Sequence, residues 1–174
     1  MVVTSEHDVL LRQDALVVPG VGAFAACITG LEAVGGRELV ADWVSSGRPL
    51  LGICVGHQVF FERGTEHGVD TAGLGLYPGT VEQLPVRRLP HMGWNTVEVP
   101  PDSRLFDGLA GERFYFVHSY AALAAPPDAL ATIARHEDQE FVAALERDNV
   151  ASTQFHPEKS GAAGARLLRN WLAS

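Results

Sequence analysis

Basic residues are scarce in this chain: Lys and Arg together number 13 against 21 Asp and Glu, for a formal net charge of −8. A phosphate-binding face needs clustered cations, and the nearest thing to a cluster, Arg87-Arg88, is too small to suggest one, which argues against nucleic acid as the main partner. Cysteine is scarcer still. Cys27 and Cys54 are the only two, no signal-peptide pattern is visible, and free thiols in a cytoplasmic protein are expected rather than a disulfide. No apolar run approaches the roughly 18 residues of a membrane span, so no membrane partner is expected. Repeats, low-complexity tracts and linker-like stretches are also missing, which leaves one domain over residues 1–174.

What is present is the balance of a soluble globular protein, with 47% hydrophobic and 20% charged residues. Eighteen glycines and ten prolines imply many sharp turns. Ala15 to Val18 is a short apolar run stopped by Pro19-Gly20, and Pro49 to Ile53 is another, as suits strands buried on both faces of a parallel sheet. Helical patterns run from Phe24 to Val34, from Leu39 to Val44 and from Val55 to Arg63. Strand candidates then crowd the chain: around Leu76, Thr80 to Glu82, Thr96 to Val99, Arg113 to His118, Ala131 to Arg135, Phe141 to Glu146 and Val150 to Phe155. A closing helix spans Gly161 to Leu172. Alternating strands and helices, a run of strands and a last helix predict an α/β sandwich with a mixed sheet.

Gly52-Ile53-Cys54-Val55-Gly56 sits between a buried strand and a helix, and has the form of a nucleophile elbow with a thiol in place of a hydroxyl. The sharp turn forces the nucleophile into strained angles, and flanking glycines avoid collisions. It also presents Cys54 at a helix N-terminus, which favours thiolate, and aims the Val55 N–H where an oxyanion would form. The competing reading is a buried structural cysteine. That reading is preferred for Cys27, which lies mid-helix among Ala and Ile.

Near the C-terminus, Gln154-Phe155-His156-Pro157-Glu158 follows an apolar strand. Pro157 holds His156 extended, and residues two apart in an extended chain project to one side, which lets Glu158 orient His156 as a base. Alone, such a pair is more often a surface feature; with an elbow cysteine upstream it makes a triad of Cys54, His156 and Glu158. Among the other histidines, His57 lies one helical turn past Cys54 without an orienting acid, and is read as packing behind the nucleophile. No spacing of His, Cys and Asp resembles a zinc site, so neither metal nor cofactor is expected.

With these residues in place, the chain resembles the class I glutamine amidotransferases, and among them the glutaminase subunits of imidazole glycerol phosphate synthase in histidine biosynthesis. The resemblance is carried by Pro19 to Phe24, Gly52 to Gln58, Pro90 to Asn95, His118 to Tyr120 and Gln154 to Ser160. The Pro90 to Asn95 run favours these subunits over anthranilate, GMP or pyridoxal phosphate synthase glutaminases. The resemblance implies a three-layer sandwich around a central mixed, mostly parallel sheet. It implies that Gly20, Val21 and Gly22 form an oxyanion strand, with Val55 as the other donor. Gln58, Glu66, Ser119 and Tyr120 would hold the two ends of glutamine, with Gly22, Gly52 and His118 in the same site. Pro90, His91, Met92, Gly93, Trp94 and Asn95 would face a cyclase partner with a (β/α)8 barrel, Trp94 lying near the ammonia exit.

The family usually has Met where His57 stands. It also opens with a strand and helix ahead of the segment that starts this chain, roughly 30 to 35 residues for such a unit. A misplaced start or a trimmed chain is expected over natural truncation, and an exposed apolar sheet edge is the expected consequence. A glutaminase of another pathway, a γ-glutamyl peptidase and a truncated copy that docks without catalysis are the alternatives.

Overall fold

Leu50 to Cys54 is buried at every position, which a strand achieves only with neighbours on both sides and layers on both faces. The computed structural model describes residues 2–174 and gives this strand that place. The chain begins with α1 (His7–Leu10), β1 (Leu16–Gly20), α2 (Phe24–Ala33), α3 (Gly36–Ser45), β2 (Leu50–Cys54) and the single turn α4 (Val55–Gln58). There follow β3 (Phe61–Glu66), β4 (Val69–Ala72), β5 (Tyr77–Gln83), β6 (His91–Thr96), β7 (Arg113–His118) and β8 (Tyr120–Ala122). The chain closes with β9 (Leu130–His136), β10 (Gln139–Arg147), β11 (Val150–Thr153), a 3₁₀ turn at Pro157–Lys159 and α5 (Gly161–Ala173).

The central sheet has the order β1-β2-β11-β10-β9. β1, β2 and β11 run parallel, β10 reverses, and β9 reverses again. Four of the five strands therefore point one way, as expected for a mixed, mostly parallel sheet within a three-layer α/β sandwich. A second sheet, β4-β3-β5-β8, and the pair β6-β7 lie beside it. β1 is an edge strand among the described residues, and Val17 on it is exposed.

Three expectations are corrected. Helix was predicted from Val55 to Arg63, but it stops at Gln58 and Phe61–Glu66 is a strand. Phe60 and Phe61 are wholly buried, and β3 gains ladder partners on both sides from β4 and β5. That tertiary pairing overrides a short apolar pattern that fits either state. The strand predicted at Thr96 to Val99 lies earlier, at His91–Thr96, and only a bridge from Glu98 to Ile133 remains of the later register. Finally, Pro157 and Glu158 are not extended; they form a 3₁₀ turn that puts Glu158 beside His156 by a different route.

Two features fix the ends of the strands that carry the site. Phe155 is fully buried and stacks on Phe114 with ring centroids 4.4 Å apart, a burial worth about 1.5–3 kcal/mol that anchors the residue preceding His156. At the elbow, α4 crosses β1 so closely that a Cβ on Gly56 would lie 1.8 Å from the Val18 carbonyl oxygen. Backbone cannot yield there as a flexible side chain would. Gly56→Ala is therefore expected to lower the unfolding free energy by at least about 2 kcal/mol in urea titrations; a wild-type midpoint would refute the crossing.

Candidate active site

Cys54 is the last residue of β2, and the chain turns on it directly into α4. Its backbone has φ 57 and ψ −112, a region that costs a non-glycine residue about 1–3 kcal/mol and persists only where the surroundings enforce it. The thiol is buried. Burial pushes its pKa up to about 11, against the pull of the Val55 N–H and the more distant Lys159 cation. The expected thiolate at a helix N-terminus is thus corrected: α4 has four residues, its partial charge is small, and desolvation wins. At pH 7 the Cys54 side chain is a neutral thiol.

His156 is held from three directions. Its N–H donates to the Tyr115 carbonyl at 2.9 Å, and its carbonyl accepts the Ser160 hydroxyl at 2.6 Å. Its Nδ1 meets Glu158 Oε1 at 2.6 Å. Because a carboxylate accepts, Nδ1 carries the proton and Nε2 is left as the basic atom of the neutral ring. The ring is buried while the Glu158 side chain is about half exposed, so solvent screens the contact from the carboxylate side.

Both Cys54 and His156 line one cavity of about 470 Å³. Of the residues expected there, Val21, Gly22 and Val55 line one part, and Gln58, Glu66, His118, Ser119 and Tyr120 another. Gly20 and Gly52 do not line it. Gly20 lies against Gly56 and Val55, and Gly52 packs under the elbow against Phe60 and Gly56. Glu66 also accepts the Phe24 N–H at 2.7 Å, at the start of α2, where a helix favours an anion. Val21 is 79% exposed, and its carbonyl accepts the Cys27 thiol at 3.4 Å. Gln58 donates to the Tyr120 carbonyl at 2.8 Å and to Gln154 Oε1 at 2.9 Å.

Lys159 and Gln83 also line the cavity, and neither was singled out from the sequence. Lys159 had a readable signal, being the only lysine in the chain and adjacent to Glu158. Gln154 was missed as well, although it lies two residues before His156; its Nε2 is 3.9 Å from the Cys54 sulfur. His57 is wholly buried, accepts or donates at Nδ1 with the Ser152 hydroxyl at 2.8 Å, and packs edge-on to Phe61. Burial holds its pKa down at about 3, so it stays neutral one turn past Cys54. Of the segment expected to face a partner, Met92 and Trp94 are 62% and 47% exposed, whereas His91 is buried.

Residues 3–174 match the family described as glutamine amidotransferase class-I. The chain belongs to the class I glutamine amidotransferase family. It is 59% identical over 172 residues to the imidazole glycerol phosphate synthase subunit HisH of Cutibacterium acnes, covering 99% of this chain and 83% of that protein. The subunit of the same description from Nocardia farcinica is 55% identical, at 99% and 85% coverage. A crystal structure of a glutamine amidotransferase shares the fold with a TM-score of 0.73 at 20% identity, covering 97% of this chain and 84% of that one. No helix among the described residues is long and apolar enough to cross a membrane.

The raised pKa of Cys54 has a direct consequence. Alkylation of Cys54 by iodoacetamide in the free chain, followed by peptide mapping to separate it from Cys27, is expected to accelerate continuously from pH 7 to pH 10, as the thiolate fraction grows toward a pKa of about 11. A plateau reached below pH 8 would show a preformed thiolate.

Proposed function

We propose that the chain is the glutaminase subunit of imidazole glycerol phosphate synthase, hydrolysing glutamine to glutamate and passing ammonia to a cyclase subunit with a (β/α)8 barrel. The observation that carries this reading is the high identity to HisH subunits along nearly the whole chain, joined to a cavity that holds an elbow cysteine and a carboxylate-oriented histidine. The cyclase would use the ammonia to make imidazole glycerol phosphate and AICAR from N′-(5′-phosphoribulosyl)-formimino-AICAR ribonucleotide.

The chemistry follows from the protonation states. A neutral Cys54 cannot attack unaided, so His156 Nε2 takes the thiol proton as sulfur bonds to the carboxamide carbon of glutamine. Charge that develops on the carboxamide oxygen is met by the Val55 N–H and by the peptide at Gly20–Val21. The imidazolium then returns its proton to the departing nitrogen, releasing ammonia and leaving a γ-glutamyl thioester. Water attacks that thioester while His156 accepts its proton; glutamate leaves and the thiol is restored. Glu158 stabilises the imidazolium in both halves and fixes its tautomer. The Lys159 cation favours the thiolate as it forms.

In this reading the exposed Met92 and Trp94 on β6 offer the apolar contact for the barrel. The oxyanion strand is where docking would act. Val21 is exposed, Gly22 has φ 86, and losing one oxyanion donor typically costs about 10²–10³ in rate. Glutamine hydrolysis measured with and without the cyclase subunit tests the proposal. Full activity is expected only in the complex, Cys54→Ala is expected at background, and Glu158→Gln is expected to lose about 10²-fold or more in kcat with little change in KM. Wild-type hydrolysis by Cys54→Ala would remove the nucleophile from the scheme, and full activity of the free chain would remove the gating.

A further inference from the structure

Between the inward face of β6 and the cavity lies an unbroken series of hydrogen bonds whose proton positions are all determined. It starts from an atom that can only accept. The Tyr120 carbonyl receives His118 Nδ1 at 3.0 Å, so His118 carries its proton on Nδ1. His118 is buried and neutral, which leaves Nε2 as an acceptor, and that atom lies 2.9 Å from His91 Nδ1. His91 therefore donates from Nδ1, and its own Nε2 accepts from Asn95 Nδ2 at 3.2 Å. The Asn95 amide is fixed in turn: its second hydrogen goes to the Arg135 carbonyl at 2.9 Å and its oxygen accepts the Thr96 N–H at 2.9 Å. Flipping that amide would break all three contacts.

The other end of the series reaches the substrate cavity. In the β5–β8 pairing, Leu84 N–H takes the Ser119 carbonyl at 2.9 Å, so by alternation the Tyr120 carbonyl faces away from β5. It is filled instead by His118 and by Gln58 Nε2, the latter at 2.8 Å. The second hydrogen of Gln58 Nε2 goes to Gln154 Oε1 at 2.9 Å. With both N–H groups occupied, the polar atom that Gln58 retains for a ligand is Oε1, an acceptor suited to the ammonium group of an amino acid.

We propose that His91 is a positioning residue for the glutamine site: by donating to His118 Nε2 it holds the ring where Nδ1 donates to the Tyr120 carbonyl, which orders that carbonyl and through it the Gln58 amide. The proposal rests on reading the cavity as a glutamine site. His91 belongs to the same strand as the exposed Met92 and Trp94 but turns inward, with 5% of its surface exposed. Its role is thus distinct from partner contact. Its ring also packs against His136 and Phe116, with centroids 4.3 Å and 4.8 Å away, and packing is the competing explanation for its burial.

Two substitutions separate the explanations. His91→Asn places an amide N–H near the position of Nδ1 but loses the ring; His91→Phe keeps a ring of similar size but has no donor. Glutamine hydrolysis by the cyclase complex is expected to show His91→Asn within about twofold of wild type, and His91→Phe with KM raised about tenfold and kcat within about twofold. The reverse order, equal effects or no effect in either variant would overturn the proposal. ¹⁵N NMR of the histidine rings in the wild-type chain tests it without a variant: both His91 and His118 are expected as Nδ1–H tautomers, and an Nε2–H tautomer at either overturns it. If the wild-type complex and Cys54→Ala hydrolyse glutamine equally, the glutaminase reading fails by itself, and the ring tautomers still decide the order of the series.

Discussion

The chain leaving β2 has to reverse into α4 at one residue, and α4 then passes over β1 with no room for a side chain at Gly56. Cys54 takes the strained backbone at that point because β2 is clamped between β1 and β11 in parallel register, Gly20 opposite Cys54 and Thr153 opposite Ile53. The clamp and the close crossing together supply what a residue at φ 57 costs. The rest of the site is built outward from this turn. β1 runs on into the exposed Val21–Gly22 stretch, β11 runs on through buried Gln154 and Phe155 to His156, and α4 carries Gln58. Three neighbouring parallel strands thus bring the Val21–Gly22 stretch, Cys54 and His156 to one end of the sheet, where open α/β folds place their ligands.

Burial has a cost for the reaction and also a use. A thiol held near pKa 11 is a poor nucleophile at rest, and neither a four-residue helix nor the Lys159 cation reverses that. In the proposed mechanism attack is therefore coupled to proton transfer to His156, whose Nδ1 is held by Glu158. A glutaminase that waits for its acceptor gains from this arrangement, because a thiol that ionises only as it attacks stays unreactive until substrate and oxyanion donors are aligned. The polar walls match the substrate: Glu66 brings an anion and Gln58 an acceptor to a cavity that also holds a cation, Lys159.

Much of this was legible in the sequence, for local reasons. The Gly-x-Cys-x-Gly spacing carries its own sterics, and both the strained Cys54 and the forbidden Cβ at Gly56 are consequences of it. The pairing of His156 with Glu158 was legible too, although by the wrong geometry: proline begins a 3₁₀ turn here, and the i, i+2 contact forms across that turn. What stayed hidden depends on contacts far apart in the chain. Phe60 and Phe61 end the helix because β4 and β5 offer ladder partners, which a local pattern cannot show. His91 and His118 are 27 residues apart and meet only because β6 and β7 pair in register, His91 opposite His118. The depth of Cys54 burial, which decides its protonation, is likewise a property of the packed core.

The register of β6 also explains how one short motif serves two purposes. Alternation along a strand sends Met92 and Trp94 outward and His91 inward. The outward pair forms an apolar surface next to Tyr115, whose ring lies 6.1 Å from that of Trp94 and whose carbonyl holds the His156 N–H. The inward residue heads the hydrogen-bond series that ends at Gln58 and Gln154. A partner seated on Met92 and Trp94 would therefore press on a strand that is tied to His156 through Tyr115 and to the Gln58 amide through His91. Both ties run through backbone groups, the Tyr115 carbonyl of β7 and the Tyr120 carbonyl of β8. β6 is thereby linked to both His156 and Gln58, at two parts of the same cavity wall.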